Sequence, residues 1–251
     1  MGRVLLITGS TGIAEATALK AAQRGDSIFV ISRNETHCLD LCGRLRDSGY
    51  YACDLTDERG VEDAFTACLN RFGAIDAVFN VAGISGRSFG DGPLHECSTE
   101  GWTVTLDSNL KSMFLVCRGV LKYWLGIERE GTILNMSSVL AFSPQAQHFA
   151  THAYAASKGG IVSMSLAMAA YYAPQKIRVN VIAPALVRTP MSARAQANPD
   201  LMEFIAHKQP LSGGMLEADD VAQAALFLLG DESRHMTGQV ITVDGGWTVS
   251  G

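Results

Sequence analysis

The chain has 251 residues with a net charge of −5; 47% are hydrophobic and only 18% charged. That balance excludes a disordered chain, which needs little apolar content and much charge, and the acidic excess gives no footing for binding nucleic acid. Glycine is abundant, 25 residues, but has no three-residue period and so does not indicate collagen.

Val4–Thr8 reads as a strand of β formers that ends at Gly9. Thr11 to Arg24 is an alanine-rich helix closed by Gly25, and Ser27–Ser32 is a second strand. Cys38–Asp47 reads as helical, Tyr50–Cys53 as a short strand, and a helix follows with Asp57 near its start. Ala77–Asn80 is a fourth strand. Trp102 to Leu125 is a helix, Thr132–Met136 a strand, and Tyr154 to Tyr172 another helix. Arg178–Ile182, the helix Ala218–Leu229 and the last strand Gln239–Val243 complete the pattern. Each apolar strand is followed by a helix long enough to cross back. Such repetition predicts an α/β, doubly wound domain: a parallel seven-stranded sheet with helices on both faces. No linker or low-complexity run divides residues 1–251, so they read as one domain.

The apolar stretch Val4–Ile7 after Met1-Gly2-Arg3 is too short for a signal peptide. No apolar run approaches the roughly 18 residues of a membrane span, and a cytoplasmic location is expected. The six cysteines match no zinc or CxxC spacing and are expected as thiols. His37, Cys38 and Cys42 share a helical turn, read as an ordinary half-buried helix rather than a metal site. His148 and His152 are four apart, but no acidic or thiol third ligand is near. No metal is expected.

Thr8-Gly9-Ser10-Thr11-Gly12-Ile13-Ala14 follows the first strand and opens the first helix. Glycines there allow backbone to approach a pyrophosphate, and the helix N-terminus supplies N–H groups and a positive dipole end. The cofactor's ribose is read at the end of the second strand, where an acid suits a 2′-hydroxyl and an arginine a 2′-phosphate. The strand ends Ile31-Ser32-Arg33-Asn34 with no acid. NADP(H) is therefore favoured, with NAD(H) possible; the plainer reading of Arg33 is a solvent-facing arginine.

Tyr154 and Lys158 are four apart on one helical face. A phenol titrates near 10, too high for acid–base work at neutral pH, and a nearby ammonium is expected to lower it. Ser137 and Ser138 end a strand upstream, where a hydroxyl can reach the same substrate oxygen.

With these residues in this order, the sequence resembles the short-chain dehydrogenase/reductase family over nearly its whole length. The resemblance is carried by Gly9 and Gly12, Asp54-Leu55, Asn80-Val81-Ala82-Gly83, Asn109 in DSNLK, Ser138, Tyr154 with Lys158, PALVRT from Pro184 to Thr189, and the ending TGQ…VDGG. It implies a Rossmann-type fold and a catalytic set of Asn109, Ser138, Tyr154 and Lys158. Tyr154 would be the general acid/base, and Lys158 would lower its pKa and hold the nicotinamide ribose. Ser138 would bond the substrate oxygen, and Asn109 would hold a relay water. Asp54 and Leu55 would flank the adenine, the Asn80, Ala82 and Gly83 stretch would pack beside the adenosine and ribose, and Pro184, Val187 and Thr189 belong to the carboxamide end.

Three departures stand out. The glycine turn has two residues, Ser10 and Thr11, between its first glycines rather than three, and Ala14 replaces the third glycine. Ser138 to Tyr154 is longer than is common in the family. Ala185 stands where glycine is usual.

Substrate recognition is expected in three loops, about residues 84–98, 140–153 and 190–216. The last carries Met191, Met202, Phe204 and Met215 and could be a mobile lid, though Met and Phe at such spacing commonly pack a core. His148, Phe149 or His152 could line the pocket. Arg188 could meet an anionic substrate, with a solvated arginine as the simpler reading. Gly86, Gly90 and Gly92 suggest a flexible loop.

Small residues crowd several faces of the Tyr154–Tyr172 helix, and together with the low charge they predict a homotetramer or homodimer. The expected function is oxidoreduction between a secondary alcohol and a ketone on a small-molecule substrate, with no nucleic-acid or membrane partner. The alternatives are a non-catalytic sensor of the nicotinamide pool and a nucleotide-sugar epimerase or dehydratase.

Overall fold

The computed structural model describes residues 2–250; Met1 and Gly251, the ends of the N-terminal and single-domain readings, lie outside the described residues. In chain order the elements begin β1 (Val4–Thr8), α1 (Ile13–Gln23), β2 (Ser27–Ser32), α2 (Glu35–Cys42), β3 (Ser48–Ala52), α3 (Glu58–Phe72) and β4 (Ala77–Asn80). They continue α4 (Thr99–Leu106), α5 (Ser112–Gly126), β5 (Gly131–Met136), α6 (His152–Tyr172), β6 (Ile177–Pro184) and β7 (Val187–Arg188). Last come α7 (Ala193–Gln196), α8 (Pro199–Lys208), β8 (Leu216–Glu217), α9 (Ala218–Leu229) and β9 (Val240–Val243).

Seven strands form one sheet in the order β3-β2-β1-β4-β5-β6-β9, with every pairing parallel. The two short strands β7 and β8 pair separately. Because strand side chains alternate between faces, Leu6 packs with α3, α5 and α6 through Val61, Phe65, Val120, Trp124 and Ile161. Its neighbours Leu5 and Ile7 pack on the opposite face with α1, α2 and α9 through Ala14, Ala18, Leu41, Val221 and Leu226. Burial on both faces explains why the strands read as unbroken apolar runs. A third cluster joins α7 and α8 to the C-terminal turn around Trp247, Leu201 and Ile205. The chain reverses its direction of winding between β1 and β4, and the crevice beyond the C-terminal ends of these strands is where open α/β sheets bind ligands.

Several boundaries differ from expectation. The second helix is Glu35–Cys42, not Cys38–Asp47, because Asn34 caps it by accepting the His37 N–H at 3.0 Å and the chain turns at Gly43 to enter β3. The helix expected at Trp102 begins at Thr99 behind the Ser98 cap, and a π turn over Asp107–Lys111 separates α4 from α5. Residues 190–216 are largely folded: α7 and α8 are packed, with Leu201 and Ile205 buried. No helix among the described residues is long and apolar enough to cross a membrane.

Candidate active site

A cleft of about 990 Å³ opens at the C-terminal ends of the strands. At one end the turn after β1 places Gly9 at φ 95° and Gly12 at φ 60°, both in the left-handed region. A Cβ at Gly12 would lie 3.0 Å from Thr189 Cγ2, so the shortened turn still brings bare backbone to the N-terminus of α1. The Thr8 hydroxyl accepts the Val81 and Ala82 N–H groups at 3.0 and 3.1 Å, fixing the end of β4 beside it. Ser10, Thr11, Ile13, Arg33, Asn34, Asp54, Leu55, Ala82 and Gly83 all line this end, and Pro184, Val187 and Thr189 line the cleft further along. Arg33 is exposed, and no carboxylate ends β2. Burial pushes the Asp54 pKa up, but two hydrogen bonds from Thr56 and the charge of Arg33 outweigh it and hold the carboxyl below its usual range.

Ser138, Tyr154 and Lys158 meet in the middle of the cleft. Lys158 is buried beneath it, where its Nζ donates to the Met136 carbonyl at 2.9 Å and lies 5.6 Å from the centroid of the Tyr154 ring. Burial lowers the Lys158 pKa to about 8. Burial also raises the Tyr154 pKa, against a smaller lowering by the Ser138 hydroxyl. This departs from the sequence expectation of a lysine-depressed phenol: Lys158 sits over the ring face and is itself desolvated, so burial dominates. Ser138 Oγ accepts the Leu140 N–H at 3.3 Å and has only a long 3.5 Å contact to the Pro184 carbonyl, leaving it able to bond elsewhere.

Asn109 and Asn80 lie below the cleft wall rather than on it. The π turn points Asn109 inward, where its Oδ1 accepts the Ile84 N–H at 2.7 Å and its Nδ2 donates to the Ile84 carbonyl and to Ser157. Single-turn π segments recur at functional sites because they redirect one side chain. Asn80 Nδ2 donates to Asn135 Oδ1 at 2.9 Å, which positions the ends of β4 and β5.

Asp91 was not legible as a site residue. It is buried, and its two carboxylate oxygens accept the Ala153 and Tyr154 N–H groups, each at 2.9 Å. It therefore caps α6 from a distant loop, since the adjacent Thr151 makes no side-chain cap. Arg87 Nη2 donates to the His148 carbonyl at 2.7 Å, and the Leu94 N–H donates to His152 Nδ1. The glycine-rich loop is thus fastened to residues 148–154, and Gly86 and Gly90, though not Gly92, serve tight packing. Gly86 has φ 77°, and a Cβ there would lie 2.1 Å from Thr105 Oγ1.

Phe149 lines the cleft, but His148 packs on Phe204 and His152 is bonded to Leu94. Of the four residues expected on the 190–216 segment, Met191 reaches the cleft, whereas Met202, Phe204 and Met215 join the third core cluster. Arg188 is paired with Glu217 at 2.9 Å outside the cleft, whereas Arg87 and Arg194 line it. Among the described residues, no group of three or more His, Cys, Asp or Glu side chains is placed to hold a metal.

The family model described as enoyl-(acyl carrier protein) reductase matches residues 7–248. A bovine 3-oxoacyl-[acyl-carrier-protein] reductase is 37% identical over 239 residues, covering 95% of this chain and 94% of the relative. A 3-ketoacyl-(acyl-carrier-protein) reductase from Brucella melitensis, solved with NADH, superposes with a TM-score of 0.87 at 28% identity, covering 99% of both chains. An actinorhodin polyketide ketoreductase solved with NADPH gives 0.88 at 27% identity, covering 99% of this chain and 98% of the other.

Proposed function

We propose, because this chain belongs to the short-chain dehydrogenase/reductase family of oxidoreductases, that it interconverts a secondary alcohol and a ketone on a small-molecule substrate, with NADP(H) preferred over NAD(H). The observation that carries the reading is the meeting of Ser138 and Tyr154 above a buried Lys158 in a cleft whose other end is a glycine turn at a helix N-terminus. The turn fits a dinucleotide: Gly12, at φ 60°, leaves little room for a side chain against Thr189, and α1 directs free N–H groups toward the place of the pyrophosphate.

When bound, the nicotinamide supplies or accepts the hydride. Ser138 polarises the substrate oxygen, and Tyr154 gives it a proton in reduction or takes one in oxidation. Lys158 holds the nicotinamide ribose and its charge offsets only part of the burial cost of the Tyr154 phenolate, and Asn109 holds the water through which Lys158 exchanges protons with solvent. Arg33, with no acid beside it on β2, favours a 2′-phosphate. Asp54 and Leu55 flank the adenine; Val187 and Thr189 hold the carboxamide.

The protein is proposed to act in the cytoplasm as a homotetramer or homodimer. Ala156, Ser163, Ala167 and Ala170 form an exposed stripe of small residues on α6, flanked by the exposed Leu166 and Tyr171, a face suited to the same helix of a second copy. The experiment is a panel of carbonyls and alcohols run with NADPH and NADH. Consumption of NADPH with a carbonyl supports the proposal; tight cofactor binding without turnover on the whole panel would favour a sensor.

A further inference from the structure

The substrate end of the cleft has a wall of Phe149, Leu140, Met191 and Trp247, which suits an apolar body. Into this wall are set two guanidinium groups from distant segments, Arg87 on the turn after β4 and Arg194 on α7. Among the described residues, neither is in an ion pair. Arg87 is half-buried and spends one donor on the His148 carbonyl, out of the five that a guanidinium carries. Burial, and next the charge of Arg194, both disfavour its cationic form, while Asp91 favours it. The two cations therefore lie within reach of each other's field, and Asp91 cannot swing between them because both its oxygens are held by α6. Two like charges facing an apolar cleft are an arrangement that an anionic ligand relieves. With Asp91 counted, the cluster carries about one net positive charge, which matches a carboxylate better than a phosphate dianion, and the guanidinium fork fits a carboxylate in two-point contact.

We propose that Arg87 and Arg194 form a carboxylate clamp, so that the preferred substrates are keto or hydroxy acids whose carboxylate lies across an apolar body from the reacting carbon. The proposal rests on the oxidoreductase reading above and adds the substrate class to it. Arg87 and Arg194 lie on neither the glycine turn nor the end of β2, the two segments assigned to the cofactor's phosphates.

The test compares 4-oxocyclohexanecarboxylate with its methyl ester, at saturating NADPH, in the wild type and in Arg87→Met and Arg194→Met. In the wild type the acid should be preferred in kcat/KM by tenfold or more. Each substitution should reduce that acid-to-ester ratio by tenfold or more, with the NADPH KM within about twofold of wild type. Arg194→Met guards against a folding defect, because Arg194, unlike Arg87, is exposed and makes no hydrogen bond to another described residue. An ester reduced as well as the acid by the wild type, or a rise in the NADPH KM in place of the lost ratio, overturns the clamp. If no ketone on the panel is reduced, the oxidoreductase reading fails first, and calorimetry decides the clamp alone. Binding of 4-oxocyclohexanecarboxylate that is lost in both variants upholds it, and no binding to the wild type overturns it.

Discussion

Lys158 offers a test that separates the energetics of the site from its turnover. Its ammonium is buried, and burial brings its pKa from 10.5 to about 8. At pH 7 the folded protein must keep this group charged in surroundings that disfavour charge. A shift of that size corresponds to roughly 3 kcal/mol of lost stability at about 1.4 kcal/mol per pH unit. The sign follows from proton counts. Between pH 8 and 10.5 the unfolded chain binds the proton more tightly than the folded one, so this group's contribution to stability rises with pH. The cost is fully present below pH 8 and disappears as pH approaches 10.5. Lys158→Met removes the charge and keeps most of the volume, but it leaves the Met136 carbonyl without its 2.9 Å donor, an offset of about 1–2 kcal/mol. The variant is therefore expected to be inactive and modestly more stable than wild type near pH 7. More decisively, the stability difference between the two proteins should move by roughly 2.5 kcal/mol in favour of the wild type between pH 7 and pH 10, enough to cancel or reverse the variant's advantage. Urea unfolding of both proteins across that range measures it. A difference that does not change with pH would refute the claim that burial sets the lysine's charge.

Other outcomes follow from single contacts. Arg33→Glu should raise the KM for NADPH by roughly tenfold to a hundredfold, the worth of a charge-assisted hydrogen bond, and improve use of NADH; steady-state kinetics with both cofactors would expose an idle Arg33 as an unchanged ratio. Asp91→Ala leaves the Ala153 and Tyr154 N–H groups without their acceptors and should cost about 2–4 kcal/mol on urea unfolding, together with a fall in kcat. Asp91→Asn, which keeps one acceptor oxygen, should restore part of both; equal damage from the two substitutions would count against a positioning role. Gly12→Val, which forces a β-branched side chain into φ 60° and against Thr189, should abolish cofactor binding by fluorescence titration while the far-UV spectrum stays native.

The inner strands were legible because they are buried on both faces and written largely in apolar β formers, as in Val4–Thr8 and Ser27–Ser32, whereas the edge strand β3, Ser48–Ala52, is only half-buried and its bounds were read two residues late at the start. The catalytic pair was legible because a four-residue spacing on a helix is local information. What was hidden depends on partners far along the chain. Asp91 looks like a turn residue in a glycine-rich loop until the fold brings it to the N-terminus of α6, 62 positions away in the case of Ala153. Arg188 and Arg194 are equivalent as letters, and only the pairing of β7 with β8 sends one to Glu217 and leaves the other in the cleft. The π turn at Asp107–Lys111 is a change of hydrogen-bond register, to which composition is blind. Asn34 was read for the ribose and so not recognised as the cap that starts α2 three residues early.

The most direct measurement is the turnover of Tyr154→Phe on the best substrate of the carbonyl panel, at saturating NADPH, with cofactor affinity measured on the same preparation. Loss of the phenolic proton donor should lower kcat by about 10²- to 10⁴-fold, the usual contribution of a positioned general acid, with the cofactor Kd unchanged. Turnover within tenfold of wild type would contradict the assignment of Tyr154 as the group that moves the proton.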